Sequence, residues 1–261
     1  MILEQNETTI EESNKLLNSG PWGIWPTIGF SIIIVIVGII IQVAVTLAFI
    51  IPAAAKDNNL DVKQFVENLS TNGLCQSMVT IAAAPFTIGL ILLFVKIRKG
   101  ITIKQYLGLR DTGWRNILKW SLIAVVFVCI IDISTYFLGK PIVLEDMAKT
   151  YTTSYFPPLL WLAIIFIAPI VEELFFRDFL FVSLKNTKFK VTGTIIITSL
   201  AFAMIHTQYD AYGIFTVFLG GLLLGFSRVK SDSIYPPLAI HITNNAISVI
   251  ETIVYITYFQ N

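Results

Sequence analysis

The sequence predicts an all-α, polytopic transmembrane helical bundle of about seven to eight spans, and three observations carry that prediction. Hydrophobic residues make up 55% of the 261-residue chain and charged residues only 13%, where a water-soluble domain carries about 25% charged residues. The apolar residues fall in blocks of the length needed to cross the hydrocarbon core, about 20 residues for roughly 30 Å; the stretch from Phe30 to Ile51 holds no charge. Mean hydropathy is +0.75. Lys and Arg (18) nearly balance Asp and Glu (17), which leaves no basic stripe of the kind a nucleic-acid surface needs.

The elements run in order along the chain. Residues 1–26 form a polar leader with Glu4, Glu7, Glu11 and Glu12 where a cleavable signal peptide would carry a basic segment. Gly20 to Pro26 brings Trp22 and Trp25 to headgroup level. The first span is expected from Thr27 to Pro52, followed by a polar loop from Lys56 to Asn72 and a second span from Leu74 to Ile97 that contains Pro85. A basic, partly amphipathic stretch runs from Lys96 to Arg115. Further spans are expected over Ile117–Leu138, Pro158–Leu184, Val191–His206, Tyr212–Ser227 and Ile234–Phe259. The chain thus divides into the leader (1–26), N-terminal transmembrane helices (27–103) and a helical core (104–261). Cys75 and Cys129 both lie in apolar blocks and read as unpaired buried side chains. Basic residues concentrate in three connections: Lys96, Arg98, Lys99, Lys104 and Arg110; Lys185, Lys188 and Lys190; Arg228 and Lys230. Alternating spans put these three on one side, which the positive-inside rule assigns to the cytoplasm.

Ionisable residues inside the apolar blocks are the ones that point to chemistry, because each costs at least about 2.5 kcal/mol to insert. The fourth block holds four of them, in Pro169-Ile-Val-Glu172-Glu173-Leu-Phe-Phe-Arg177-Asp178. Glu173 and Arg177 are spaced i and i+4 and can pair. Glu172 lies about 100° further round the axis and is freer to face another group. The chain has only two histidines: His206 closes the fifth block, four residues after Phe202, and His241 lies in the seventh, four residues before Asn245. Three spans therefore each supply groups that handle protons or ligate a metal. In one arrangement His206, His241 and Glu172 hold zinc and leave a position for water. In the other, Glu172 and His206 activate water directly while His241 and Asn245 donate to an oxyanion. Both yield acyl-transfer hydrolysis. No Gly-x-Ser-x-Gly, cysteine–histidine dyad or His-Glu-x-x-His occurs. Outside this set, Asp132 reads as a packing hydrogen-bond partner, Glu251 as a residue reaching water near the end of the last span, and Gly221-x-x-x-Gly225 as a close helix contact. Phe175, Phe176 and Phe202 are candidates to line a cavity.

In order, Glu172-Glu173-x-x-x-Arg177, Phe202-x-x-x-His206 and His241-x-x-x-Asn245 resemble the three motifs of the CPBP intramembrane proteases. That family includes the type II CAAX prenyl endopeptidases and the bacterial Abi proteins of bacteriocin self-immunity. Leu219-Gly-Gly-Leu-Leu-Leu-Gly-Phe-Ser227 and Ile234-Tyr-Pro-Pro-Leu-Ala-Ile-His241 are similar to the stretch between the second and third motifs. Tyr106-Leu-Gly-Leu-Arg110 with Trp114-Arg115 is similar to the lead-in before the core.

The resemblance implies a conical intramembrane active-site cavity and a membrane protease of the bacterial cell membrane. It implies that Glu172 and His206 activate water, that His241 and Asn245 support the oxyanion, and that Glu173, Arg177 and Phe202 shape the site. The family has been described both as metalloproteases and as metal-free glutamate proteases, so the cofactor is either none or zinc. The partners implied are the lipid bilayer and a membrane-associated or lipidated peptide, with no nucleic acid. A different class of reading is a non-catalytic membrane scaffold, an immunity protein or a regulator of a membrane sensor.

Overall fold

The computed structural model describes residues 20–259; the acidic leader with Glu4, Glu7, Glu11 and Glu12 lies outside the described residues. The described residues form helices and no strands, as a bilayer requires of segments that must satisfy their own backbone hydrogen bonds. Six helices are long and apolar enough to cross a membrane, and a shorter apolar one joins them. The protein is an integral, multi-pass membrane protein.

The helices are α1 (Ile24–Lys56), α2 (Val62–Ser70), α3 (Gly73–Lys96), α4 (Ile103–Tyr106), α5 (Trp114–Phe137), α6 (Glu145–Thr152), α7 (Pro157–Leu184), α8 (Lys190–Met204), α9 (Ala211–Ser231) and α10 (Tyr235–Phe259). Their ends are set by local chemistry. Asp61, Asn72 and Asp210 accept hydrogen bonds from Gln64, Cys75 and Gly213 backbone N–H groups at the starts of α2, α3 and α9, satisfying donors that a helix start leaves open. Thr102 and Gln105 form a reciprocal capping box on α4. Pro157 and Pro158 open α7, where the missing N–H costs nothing. The 15 residues of α8 rise only about 22 Å, yet α8 joins the end of α7 to the start of α9 and so crosses the bundle. It is the fifth expected block in shortened form.

Three connections meet on one face. Arg110 pairs with Asp232 at 3.0 Å, the Ser233 hydroxyl donates to the Arg110 carbonyl at 2.6 Å, and the Ile234 N–H donates to the Gly108 carbonyl at 3.1 Å. Lys185 lies within electrostatic reach of Arg228 and Asp232. Tyr106-Leu-Gly-Leu-Arg110 is thus a stretch of chain docked over the ends of α7 and α9: the Tyr106 and Ser183 hydroxyls are 2.6 Å apart, and Gly108 adopts φ +55 against the Arg228 guanidinium, whose Cζ would stand 2.7 Å from any Cβ. Only glycine fits there. Beneath it Arg228 donates to Asp178 at 2.9 Å, so Asp178 is consumed in a buried ion pair. The other face joins α2, α6 and the α8–α9 turn. Thr153 donates to the Thr71 carbonyl at 2.9 Å, and Lys140 pairs with Asp210 at 2.7 Å.

Within the bundle, α8 and α9 approach closely at Gly221 and Gly225. A Cβ on Gly221 would stand 2.9 Å from Ser199 Cβ, and one on Gly225 would stand 3.1 Å from Ile195 Cγ2, which is the close helix contact expected of the small-residue motif. Glu251 and Asp132 face one another across the α5–α10 contact, both half-buried at the cavity wall. Cys75 and Cys129 are both unpaired; Cys75 is buried and Cys129 is exposed on the surface of α5.

Candidate active site

The fourth span positions the carboxylates by changing its pitch. α7 contains two π-helical segments, Leu162–Ile167 and Leu174–Leu180, on either side of an α-helical turn from Ala168 to Glu173. Each wide turn accommodates an extra residue and re-aims the side chains beyond it, a device common at functional sites. Glu172 and Glu173 stand at the junction and their environments diverge. Glu173 is fully buried; one oxygen accepts from His241 Nδ1 at 2.8 Å and the other faces Arg177 Nε at 3.5 Å. Glu172 retains 23% of its side-chain exposure, and its Oε2 stands 3.7 Å from His241 Nε2, beyond hydrogen-bond range, with no partner of its own. The adjacent acids are therefore one structural and one available carboxylate.

Arg177 is fully buried, lies 4.4 Å over the Phe202 ring and reaches the Gly221 carbonyl at 3.4 Å. The Glu173 charge and the ring's electron-rich face both offset its desolvation. Phe202 separates the two histidines, edge-on to His206 at 4.8 Å and to His241 at 5.6 Å. His206 Nδ1 lies 2.8 Å from the Phe202 carbonyl. Donation there assigns the proton to Nδ1 and leaves the Nε2 lone pair free. By the same logic His241 donates from Nδ1 to Glu173 and turns Nε2 toward Glu172. Asn245 donates to the Ile164 carbonyl at 2.9 Å, and its amide has a second N–H to offer.

A cavity of about 580 Å³ runs beside these groups, lined by His206, His241, Asn244 and Asn245 among others. Of the three phenylalanines considered from sequence, only Phe202 lines it; Phe175 and Phe176 pack into the apolar interior. Tyr209 is a cavity residue that spacing alone does not single out. Its ring is nearly parallel to His206 at 6.0 Å. Burial raises the Tyr209 hydroxyl above the ordinary phenol range, and the Glu172 charge pushes it the same way, so it stays a neutral donor. The signal in the sequence is its place three residues beyond His206, in the turn before the Asp210 cap.

Zinc would need at least three of these side chains to converge. Among the described residues no three His, Cys, Asp or Glu side chains do so: both His241 nitrogens face glutamates, and one His206 nitrogen is tied to the backbone. The set Glu172, His206 and His241 is not assembled as a metal site among the described residues. What the groups can do without it is clear from their chemistry. A carboxylate and two imidazole lone pairs can take a proton from water, and amide N–H groups beside them can donate to an oxyanion.

Residues 154–247 match the family model described as type II CAAX prenyl endopeptidase Rce1-like. No curated protein and no solved structure matches the chain. The matched segment begins just before α7 and ends just after Asn245, so it contains every polar group of the site. All three motifs lie within that segment, so this part of the chain is similar to the type II CAAX prenyl endopeptidases, a family of membrane proteases.

Proposed function

We propose that this protein cuts a peptide bond in a membrane-associated or lipidated peptide by direct activation of water. Glu172 and His206 are the proton acceptors. Asn245 donates to the developing oxyanion, His241 joins it through Nε2 once that nitrogen has taken a proton, and Glu173, Arg177 and Phe202 hold those side chains in place. The observation that carries this reading is the split between the two adjacent glutamates: Glu173 is buried and spent on His241 and Arg177, whereas Glu172 keeps 23% of its side-chain exposure and its Oε2, 3.7 Å from His241 Nε2, makes no hydrogen bond. A carboxylate without a hydrogen bond in an apolar surrounding is a costly arrangement for a scaffold and a suitable one for a base. Peptide processing or bacteriocin self-immunity is the biological role we propose, on the family resemblance.

The test is turnover of a fluorogenic membrane peptide by protein in liposomes. Replacing Glu172→Gln or His206→Ala is expected to lower kcat by about 10²- to 10⁴-fold, the usual worth of general acid–base catalysis. Full activity in both variants would overturn the protease assignment of this site and favour the scaffold reading. Chelators are expected to leave the wild-type rate unchanged; loss of activity restored by zinc would replace direct water activation with a metal mechanism.

A further inference from the structure

The cavity has one end. Its rim is made of exposed residues from two connections, Pro141, Glu145 and Asp146 after α5, and Gln208 and Asp210 after α8. From there it tracks α10 inward along one face, Glu251, Ser248, Asn245 and His241, ten residues or about 15 Å of helix. None of its lining comes from the three connections that gather on the other face, 97–113, 185–189 and 232–234. That face is closed by the Arg110–Asp232 and Arg228–Asp178 pairs and by the chain around Gly108.

The two faces differ sharply in charge. The closed face carries the ten Lys and Arg residues of the three basic connections, from Lys96 to Lys230, whereas the rim side has only Lys56, Lys63, Lys140 and Lys149. Short loops of this kind are the ones whose Lys and Arg content sets orientation. The N-terminal end of α1 is bound to the closed face, where Trp22 donates to the Phe94 carbonyl at 2.8 Å and Arg98 to the Gly20 carbonyl at 2.7 Å. The distribution places the closed face in the cytoplasm.

We propose that the active-site cavity opens on the extracytoplasmic side of the membrane, and that the substrate is a peptide segment presented from outside rather than the C-terminus of a cytoplasmic protein. Its catalytic content rests on the assignment of Glu172 and His206 as proton acceptors, but its geometry does not. A lipidated cytoplasmic chain end would meet the sealed face, some 15 Å of helix and two ion pairs away from the rim.

The experiment is cysteine accessibility in intact protoplasts expressing the full chain with Cys75→Ser and Cys129→Ser. A membrane-impermeant maleimide is expected to label the Gln208→Cys variant before lysis and the Lys188→Cys variant only after it. The reverse pattern overturns the proposal. As a second measurement, an impermeant fluorogenic peptide added outside intact protoplasts is expected to be cleaved, and labelling the Gln208→Cys variant is expected to abolish that cleavage. Cleavage seen only in inverted vesicles would overturn it equally. Labelling reports orientation whether or not Glu172 proves catalytic, so failure of the catalytic reading is separately visible.

Discussion

At the scale of single residues, the site is a case of identical chemistry divided by environment. Two neighbouring glutamates on one helix differ because the π-helical turns beside them turn one toward Arg177 and His241 and leave the other partly exposed, its Oε2 without a hydrogen bond. His206 is held more lightly, by one bond to the Phe202 carbonyl and by rings on two sides, Phe202 edge-on and Tyr209 face-on. Tyr209 is itself held by its surroundings. A Cβ on Gly213 would stand 2.8 Å from Tyr209 Cβ, and the adjacent Asp210 is fastened to Lys140, whose hydrogen bond keeps that carboxyl below its ordinary range. Tyr209 thus acts as a positioning residue for His206. Removing its ring with Tyr209→Leu is expected to lower kcat by about 2- to 10-fold, the rate equivalent of an aromatic contact of 0.5–1.5 kcal/mol, with KM little changed. Tyr209→Phe is expected to retain the wild-type rate. Because the chain has only two histidines, selective isotope labelling resolves both by NMR. The leucine variant should move the His206 ring signal and leave His241 in place; an unmoved His206 signal would refute the role.

At the scale of elements, the close α8–α9 contact explains how a helix too short to span the bilayer comfortably is held in the bundle. Gly221→Ala would drive a methyl group into Ser199, 2.9 Å from its Cβ and 3.1 Å from its Cα. The expected cost is about 1–3 kcal/mol, read as a lower melting temperature in detergent, together with reduced activity because Arg177 reaches the Gly221 carbonyl. A variant as stable as wild type would show that the helices separate freely. These elements also show what was legible from sequence. The six long helices begin and end within about four residues of their expected limits, since apolar blocks end where polar residues do, as at Lys96 and Lys56. The pairing of Glu173 with Arg177 came from i,i+4 spacing. The π-helical turns left no trace, because apolar residues on every face of α7 hide any change of period. The α2 segment hid for a different reason: its nine residues, with Lys63 and Glu67, lie in the polar stretch Lys56–Asn72 that reads as loop. Asp178–Arg228, Asp132–Glu251 and Glu173–His241 join residues far apart in the chain, and no local pattern encodes such partners.

At the scale of the whole molecule, charge is sorted into layers. Basic residues collect at the closed face, and the cavity carries Asp132, Glu145, Asp146, Asp210 and Glu251 against Lys140 alone. Low-dielectric walls focus such a field on whatever approaches the rim. Peptides with Lys or Arg near the cleaved bond are therefore expected to show at least about tenfold higher kcat/KM than matched Glu peptides at low ionic strength, the difference shrinking as salt shortens the Debye length to about 10 Å at 0.1 M. Equal rates for the two peptides at low salt would sink the expectation. The packing differs as sharply as the charge. Most of α1 is exposed on the outside of the bundle and rests chiefly on α3, while the helices that carry the site interlock around Arg177.

The sealed floor at Arg110, Asp178, Arg228 and Asp232 makes the chamber a dead end, and a dead end measures what enters it. A chain cannot be threaded through and cut repeatedly along its length. One terminus or one loop must be lowered in, cleaved at the depth of His241, and withdrawn by the path it came or sideways into lipid. The depth of the floor thus serves as a ruler for the fragment on its side of the cut.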